Sequence, residues 1–153
     1  MTRILVAGVG NVLRRDDGFG PAVVARLDGL PAGTRVVETG IGGVALLQEL
    51  LAEPFDGLVL VDAMDRGAAP GTVFVLEPDV AEAPHVADVH LANPARVLSM
   101  ALTMGALPRR VAIVGCQPGD ADELGETLSP AVARAIDTGA RLVHETIAEW
   151  TGA

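Results

Sequence analysis

The sequence predicts an α/β protein: a three-layer α/β/α sandwich around a five-stranded, mostly parallel sheet with one antiparallel edge strand. Short apolar runs alternate with segments whose apolar residues recur at helical spacing, in the order β-α-β-α-β-β-α-β-α. Half of the residues are hydrophobic but only 3% are aromatic, as expected of a buried parallel sheet built from Ala, Val, Leu and Ile. Because no linker or internal repeat interrupts this pattern, we expect residues 1–153 to form one domain.

The first two strand–helix units are marked by changes in the spacing of apolar residues. Residues 4–7 are continuously apolar and end at a glycine-rich turn, which predicts a buried strand. Residues 21–29 have helical spacing behind an N-terminal proline. Residues 35–38 predict a second strand, and a Gly-rich turn then leads into a helix over residues 44–51.

The edge strand is predicted from the length of one connection. Residues 58–61 form a continuous apolar strand, and residues 72–76 form the next. About ten residues separate them, which is short for a helical crossover between parallel strands, so we expect the second strand to be antiparallel. Residues 77–91 then form a long acidic loop without periodicity, a kind of loop that is often functional.

The last two helices share one start signal, a capping residue followed by proline. We expect these helices to span residues 93–104, with Asn93 as the N-cap, and residues 129–150, with Ser129 as the N-cap. Residues 110–114 form an apolar strand between them.

Charge and cysteine content exclude several classes of protein. Eleven basic against twenty acidic residues give a net charge of −9, and no basic cluster exceeds two residues, which argues against nucleic-acid binding. The single cysteine, Cys116, excludes an intramolecular disulfide. Neither a signal peptide nor an apolar run of about 20 residues is apparent. We therefore expect a cytoplasmic protein without a membrane partner, and a monomer.

Residues 8–20 are the most informative stretch, because they join the first strand to the first helix. Adjacent acids, Asp16 and Asp17, stand where open α/β sheets bind ligands. Either acid could cap the helix, and Asp16 is the better candidate for the cap, which leaves Asp17 to face the crevice. Gly8 and Gly10 also suggest a dinucleotide-binding turn, but Leu13 occupies the place of the third glycine.

Asp62 and His90 are further candidates for the same edge of the sheet. Asp62 follows four apolar strand residues, a position typical of catalytic groups and also of turn carboxylates. His90 lies in the long loop shortly before a helix.

His144 lies within the last helix and is expected near the surface. Cys116 could be a nucleophile, but a small buried residue is the stronger interpretation.

Asp17, Asp62 and His90 together form a plausible partial ligand set for a divalent transition metal. They come from three different connections that we expect to meet at one end of the sheet. The sequence has no serine at a strand–helix junction for a Ser-His-Asp triad, and no P-loop.

Four blocks of the sequence resemble, in order and spacing, those of the endopeptidases that mature the large subunit of nickel–iron hydrogenases. The blocks are Gly8-Val9-Gly10-Asn11-Val12-Leu13 with Asp16-Asp17-Gly18-Phe19-Gly20, Val61-Asp62-Ala63 with Pro70-Gly71-Thr72, Asp88-Val89-His90, and the stretch from Gly125 to Leu128-Ser129-Pro130.

The resemblance implies a function and a site. The family removes a C-terminal extension from the large-subunit precursor after nickel has been inserted. Its three site residues correspond to Asp17, Asp62 and His90, which would recognise nickel carried by the substrate. The stretch 38–43 differs in detail from the family's glycine-rich turn. The alternatives are a nucleotide- or dinucleotide-binding α/β module and a catalytically inactive interaction protein.

Overall fold

A computed structural model of the protein describes residues 1–41, 43–80 and 94–152. These residues form five strands, four α-helices and one 3₁₀ turn, Arg15–Gly18, which precedes the first helix. The strands and helices follow in the order β1 Ile4–Val9, α1 Phe19–Arg26, β2 Thr34–Gly40, α2 Gly43–Ala52, β3 Gly57–Ala63, β4 Val73–Leu76, α3 Pro94–Thr103, β5 Arg110–Cys116 and α4 Pro130–Thr151.

The five strands form one sheet in the order β2-β1-β3-β5-β4. The first four strands in that order pair in parallel, and β4 pairs antiparallel with β5 at the edge. The predicted fold class is therefore confirmed, including the antiparallel edge strand. Because β3 is the central strand, its carboxyl end lies in the middle of the sheet edge where ligands bind in this fold class.

Alternate residues of each strand pack against different helices. On one face, Val59 and Val61 of β3 join α1 and α4 in a core that also contains Phe19. On the other face, Leu58 and Leu60 join α2 and α3. The buried side chains are mainly aliphatic, so the low aromatic content of the sequence reflects the dense packing of small branched residues between sheet and helices.

The structure extends several predicted elements toward the carboxyl edge of the sheet. The first helix begins at Phe19 with Pro21 in its first turn, as predicted, and the 3₁₀ turn before it holds both adjacent acids. β3 continues through Asp62, which the sequence placed after the strand. The hydrogen bonds between β3 and its neighbouring strand thus continue past the apolar run. This extension depends on the tertiary structure, and the pattern of apolar residues in the sequence does not predict it.

Two sequence predictions fall on residues that lie outside the described part of the chain. These are the N-cap at Asn93 and most of the long loop at 77–91. Across residues 1–41, 43–80 and 94–152, none of the helices combines the length and apolarity needed to cross a bilayer.

Candidate active site

Glycines at the start of α1 bring this helix into direct contact with the central strands. A Cβ on Gly20 would lie 2.2 Å from the Val61 carbonyl oxygen and 2.5 Å from that of Val9, far inside contact distance. A Cβ on Gly10, whose φ of +144° also favours glycine, would lie 1.9 Å from the Asp17 carbonyl oxygen. The glycine spacing that resembled a cofactor fingerprint therefore allows the backbones of α1, β1 and β3 to approach each other.

Asp62 lies near the carboxyl end of the central strand, with only 7% of its surface exposed. Because alternate residues of a strand lie on the same face of the sheet, Asp62 lies on the same face as Leu60, the face covered by α2 and α3. The sequence placed Asp62 after the strand, but β3 continues through it and its side chain is buried. A carboxyl group buried among apolar strands and helices is costly to ionise.

Asp17 is the second carboxylate of the site. It lies in the 3₁₀ turn, is partly exposed, and its Oδ2 accepts a hydrogen bond of 2.7 Å from the Asn11 backbone N–H. This contact orients the carboxylate across the turn that follows β1. Asp17 is therefore the more exposed acid of the adjacent pair, since Asp16 is fully buried.

Burial and the negative charge of Asp17 together raise the pKa of the Asp62 carboxyl to about 8. Burial is the larger cause, and a hydrogen bond from the Ala63 backbone opposes it. The charge of Asp17 thus disfavours ionisation of an acid from a different part of the chain, at the carboxyl edge of the sheet. Such a strongly perturbed acidic pair is a common feature of functional sites, and its repulsion is relieved by a bound cation.

Asp16 does not cap a helix, contrary to the prediction from the sequence. Its fully buried carboxylate accepts hydrogen bonds from the backbone N–H groups of Gly119, Asp120 and Ser129 and from the Ser129 hydroxyl, at 2.7–2.8 Å. Burial alone would raise the pKa of Asp16, but these bonds outweigh it and hold that pKa below the ordinary value. The acid binds the loop between β5 and α4 because that loop supplies several converging N–H groups.

Ser129 also has a different role from the one predicted. It occupies the N-cap position of α4, ahead of Pro130, but its side chain makes no capping bond. The hydroxyl donates to Asp16 Oδ2 at 2.7 Å instead. The hydrogen bond that the hydroxyl donates to a buried carboxylate is charge-assisted. It is therefore stronger than a capping bond that the hydroxyl oxygen would accept from a backbone N–H of the first helical turn.

The loop after Asp62 is fixed by Gln117, a residue that the sequence analysis did not single out. Its Oε1 accepts bonds from the backbone N–H groups of Arg66 (2.7 Å) and Ala68 (3.2 Å), and its Nε2 donates to Asp65 Oδ1 at 2.9 Å. No sequence signal marks this role, because the three partners lie about 50 residues before Gln117. The contacts keep the chain after Asp62 in one conformation.

The third predicted site residue, His90, lies outside the described residues. Within the part of the chain that is described, no three His, Cys, Asp or Glu side chains form a group able to hold a metal ion. Of the predicted set, the structure describes Asp17 and Asp62, and the charge of Asp17 contributes to the raised pKa of Asp62. His144 lies in α4, and it is partly exposed as predicted.

Cys116 lacks the properties of a nucleophile. Its side chain is completely buried at the end of β5, and burial together with the charge of Asp16 raises the pKa of the thiol to about 11. A thiol in this environment is protonated near neutral pH and closed to a substrate. The interpretation of Cys116 as a small buried residue is confirmed.

The turn after β1 does not offer a phosphate cradle. The Gly10 N–H donates to the Gly40 carbonyl, the Asn11 N–H to Asp17 and the Leu13 N–H to the Asn11 side chain. A dinucleotide site needs such N–H groups free to receive the pyrophosphate. These contacts argue against the nucleotide-binding alternative.

A groove lies beside the 3₁₀ turn that carries Asp17 and is lined by Arg15 and Gly18 of that turn. This groove has a volume of about 300 Å³ and is also bordered by Val12, Ala22, Glu38 and Leu128. Two larger depressions, of about 440 and 400 Å³, lie around Trp150 at the opposite edge of the sheet, away from Asp17 and Asp62. The groove is therefore the better placed of these to receive a substrate segment.

Comparison with known proteins identifies the family. A family model described as hydrogenase maturation protease matches residues 22–146. The chain belongs to the hydrogenase maturation protease family. This family is one of peptidases, so the chain is a peptidase, and the matched residues include Asp62 and the position of His90.

Individual relatives agree with the family assignment. The chain is 38% identical over 141 residues to the hydrogenase expression/formation protein HupD of Rhodobacter capsulatus, covering 88% of this chain but 66% of that protein. It is 33% identical to HupD of Bradyrhizobium diazoefficiens, covering 97% and 79% of the two chains.

A solved structure shares the fold. The hydrogenase maturating endopeptidase HybD from Escherichia coli superposes with a TM-score of 0.83 and 30% identity, covering 97% of this chain and 93% of that one. This protein therefore has the fold of the family, and at the carboxyl edge of its sheet the charge of Asp17 acts on the pKa of Asp62.

Proposed function

We propose that this protein removes a C-terminal extension from the nickel-loaded precursor of a nickel–iron hydrogenase large subunit. In this proposal Asp17, Asp62 and His90 bind the nickel that the substrate carries. The observation that carries the proposal is the burial of Asp62 near the carboxyl end of the central strand, where the charge of Asp17 adds to the effect of burial in raising the pKa of Asp62. A divalent cation placed between two such carboxylates replaces their repulsion with attraction, so the pair favours a substrate that brings one.

The position of α3 supports His90 as the third ligand. α3 leads through a short connection into β5, which begins at the opposite, amino edge of the sheet with Arg110. Its first residue, Pro94, consequently lies toward the carboxyl edge, and α3 packs on the face to which Asp62 belongs. His90 is four positions before Pro94 in the sequence, and a fully extended chain of that length spans at most about 14 Å between the two Cα atoms.

These side chains would act mainly by selection and orientation. Two carboxylates and one imidazole are suitable ligands for a metal whose remaining positions are filled by substrate groups. Binding the metal would hold the adjacent peptide bond at the carboxyl edge, beside the groove at Gly18. Hydrolysis would then be restricted to substrates that already contain the metal, because only these are held in the reactive position.

The test compares nickel-loaded and nickel-free precursor as substrates. We expect the full-length protein to cleave only the loaded form, and mass spectrometry to locate the released peptide at the precursor's C-terminus. Asp17→Asn, Asp62→Asn and His90→Ala should each lose cleavage by at least about a hundredfold. His144→Ala, a histidine change in α4, serves as the matched control and should retain it. Equal cleavage of both precursor forms would contradict metal recognition.

A further inference from the structure

We propose that Asp16 is a positioning residue that holds Asp17 in its reactive place by fastening the 3₁₀ turn to the loop between β5 and α4. This inference rests on the proposed function, in which Asp17 touches the substrate's metal. We call Asp16 and its three partners, Gly119, Asp120 and Ser129, the polar clamp. Asp16 itself is fully buried and does not line the groove beside Gly18.

The polar clamp fills almost all of the hydrogen-bonding capacity of the Asp16 carboxylate. Four hydrogen bonds reach its carboxylate, three from backbone N–H groups and one from the Ser129 hydroxyl. The Asp16 backbone N–H also donates to the Asp120 carbonyl at 2.9 Å. Because most of these donors belong to the backbone, the clamp fixes the path of the chain as well as one side chain.

The residue before Asp16 reinforces the same attachment. Arg15 has a φ of +46°, an unusual left-handed conformation for a residue with a side chain. Its backbone N–H donates to the Gly125 carbonyl at 2.8 Å, and its Nε donates to the Thr127 carbonyl at 3.1 Å. A strained residue persists only where its surroundings over-determine it, and here the loop between β5 and α4 does so.

The residues after Asp17 are fixed by a different set of contacts. Phe19 is completely buried in the core between the sheet and α4, and Gly20 touches the backbone of β3 through Val61. Asp17 thus lies between the polar clamp on one side and the hydrophobic core on the other. Releasing the clamp would free the turn on one side only, which would shift Asp17 relative to Asp62 while the core remained intact.

The two adjacent acids therefore have separate tasks. Asp16 makes its contacts within the protein, and Asp17 accepts an N–H bond from Asn11 while remaining partly exposed. The clamp also links the first turn of the chain to a loop more than a hundred residues later. The position of a reactive side chain thus depends on contacts that it does not itself make.

Three variants of the full-length protein test the role of the clamp. Asp16→Asn replaces one acceptor oxygen with an NH₂ group. This group is a donor and cannot accept the hydrogen bonds that the backbone N–H groups of the clamp provide. Ser129→Ala removes one of the four bonds, and Ser129→Thr restores the hydroxyl. The matched control is Asp56→Asn, since Asp56 Oδ2 accepts the Arg3 backbone N–H at 2.8 Å at the opposite edge of the sheet.

Two measurements separate positioning from mere stability. With nickel-loaded precursor, we expect Asp16→Asn to lower kcat by at least about tenfold with KM changed less than about twofold, and Ser129→Ala to lower it by about threefold. Ser129→Thr should return kcat near the wild-type value. In NMR spectra recorded without substrate, the amide proton of Asn11, the donor to Asp17, should shift in Asp16→Asn and Ser129→Ala but not in Asp56→Asn.

The outcomes distinguish this inference from the proposed function. If the wild-type protein fails to cleave the precursor, the proposed function fails, and the Asn11 amide still reports whether the clamp positions Asp17. If Asp16→Asn does not fold, Ser129→Ala carries the same test. Wild-type kcat together with an unshifted Asn11 amide in Ser129→Ala would overturn the inference. An equal kcat loss in Asp56→Asn would also overturn it, because general destabilisation would then suffice.

Discussion

Asp17 lies close enough to Asp62 for its negative charge, added to the effect of burial, to raise the pKa of the Asp62 carboxyl to about 8. The two residues are separated in the sequence by two helices and the strand between them, α1, β2 and α2. Their proximity results from the close packing of α1 on β3 at Gly20. This relationship leads to several expected outcomes.

Replacing Asp62 should stabilise the protein at neutral and alkaline pH. A carboxyl whose folded pKa is raised imposes no cost below its unfolded pKa near 4, and a cost that grows as the pH rises toward about 8. Asp62→Asn should therefore raise the free energy of unfolding by about 2–4 kcal/mol at pH 8 and by little at pH 4. Urea unfolding across this pH range measures the difference.

Replacing Asp65, an acid three residues after Asp62, should have the opposite effect on stability. Bonds from Gln117 and Gly67 lower the pKa of Asp65, so its ionised form favours folding above the unfolded pKa. Asp65→Asn should consequently destabilise the protein at neutral pH and not at low pH. Equal pH profiles for the two variants would show that Asp62 is not the buried acid described here.

Removing the charge of Asp17 should lower the pKa of Asp62 only in part. Burial is the larger cause of the shift and persists in Asp17→Asn, so the pKa should fall below about 8 while remaining above the ordinary value. A ¹³C NMR titration of the Asp62 carboxyl carbon measures this directly. An unchanged titration in Asp17→Asn would mean that the two side chains lie too far apart to form one site.

The glycine contacts predict a contrast between two alanine substitutions. Gly20→Ala forces a Cβ to within 2.2 Å of the Val61 carbonyl oxygen and should destabilise the protein by about 3 kcal/mol. It should also move Asp17 away from Asp62. Gly18→Ala is the matched control, since its Cβ would lie 3.5 Å from Val12 with a φ of −79°. Thermal unfolding should show a large loss for the first variant and little change for the second.

Cys116 should be dispensable for peptidase activity. Because its thiol is buried and its pKa is raised to about 11, iodoacetamide should leave it unmodified in the folded protein at pH 8. Cys116→Ala should retain cleavage of the precursor, with a modest loss of stability from the smaller side chain. Loss of cleavage in a folded Cys116→Ala protein would require a role for the thiol that its burial contradicts.

The sequence predicted the fold class and the position of the site more completely than the roles of individual acids. Runs such as residues 58–61 are apolar because both faces of the central strand are covered, so they are visible without a structure. Asp16 and Asp17 were visible as an adjacent pair, but their division of roles was only half right. Asp17 is the partly exposed acid of the two, whereas Asp16 bonds to a loop that becomes its neighbour only on folding.

By itself, the sequence determined the alternation of strands and helices, the antiparallel edge strand and the resemblance that named Asp17, Asp62 and His90. These features depend on local spacing and on the order of short motifs, which the chain carries whether or not it is folded. Only the tertiary structure decided that Asp62 is buried, that Asp17 acts on it and that Asp16 and Ser129 fasten the turn. Burial and electrostatic coupling depend on distances between segments remote in sequence, and packing of α1 and the loop between β5 and α4 sets those distances.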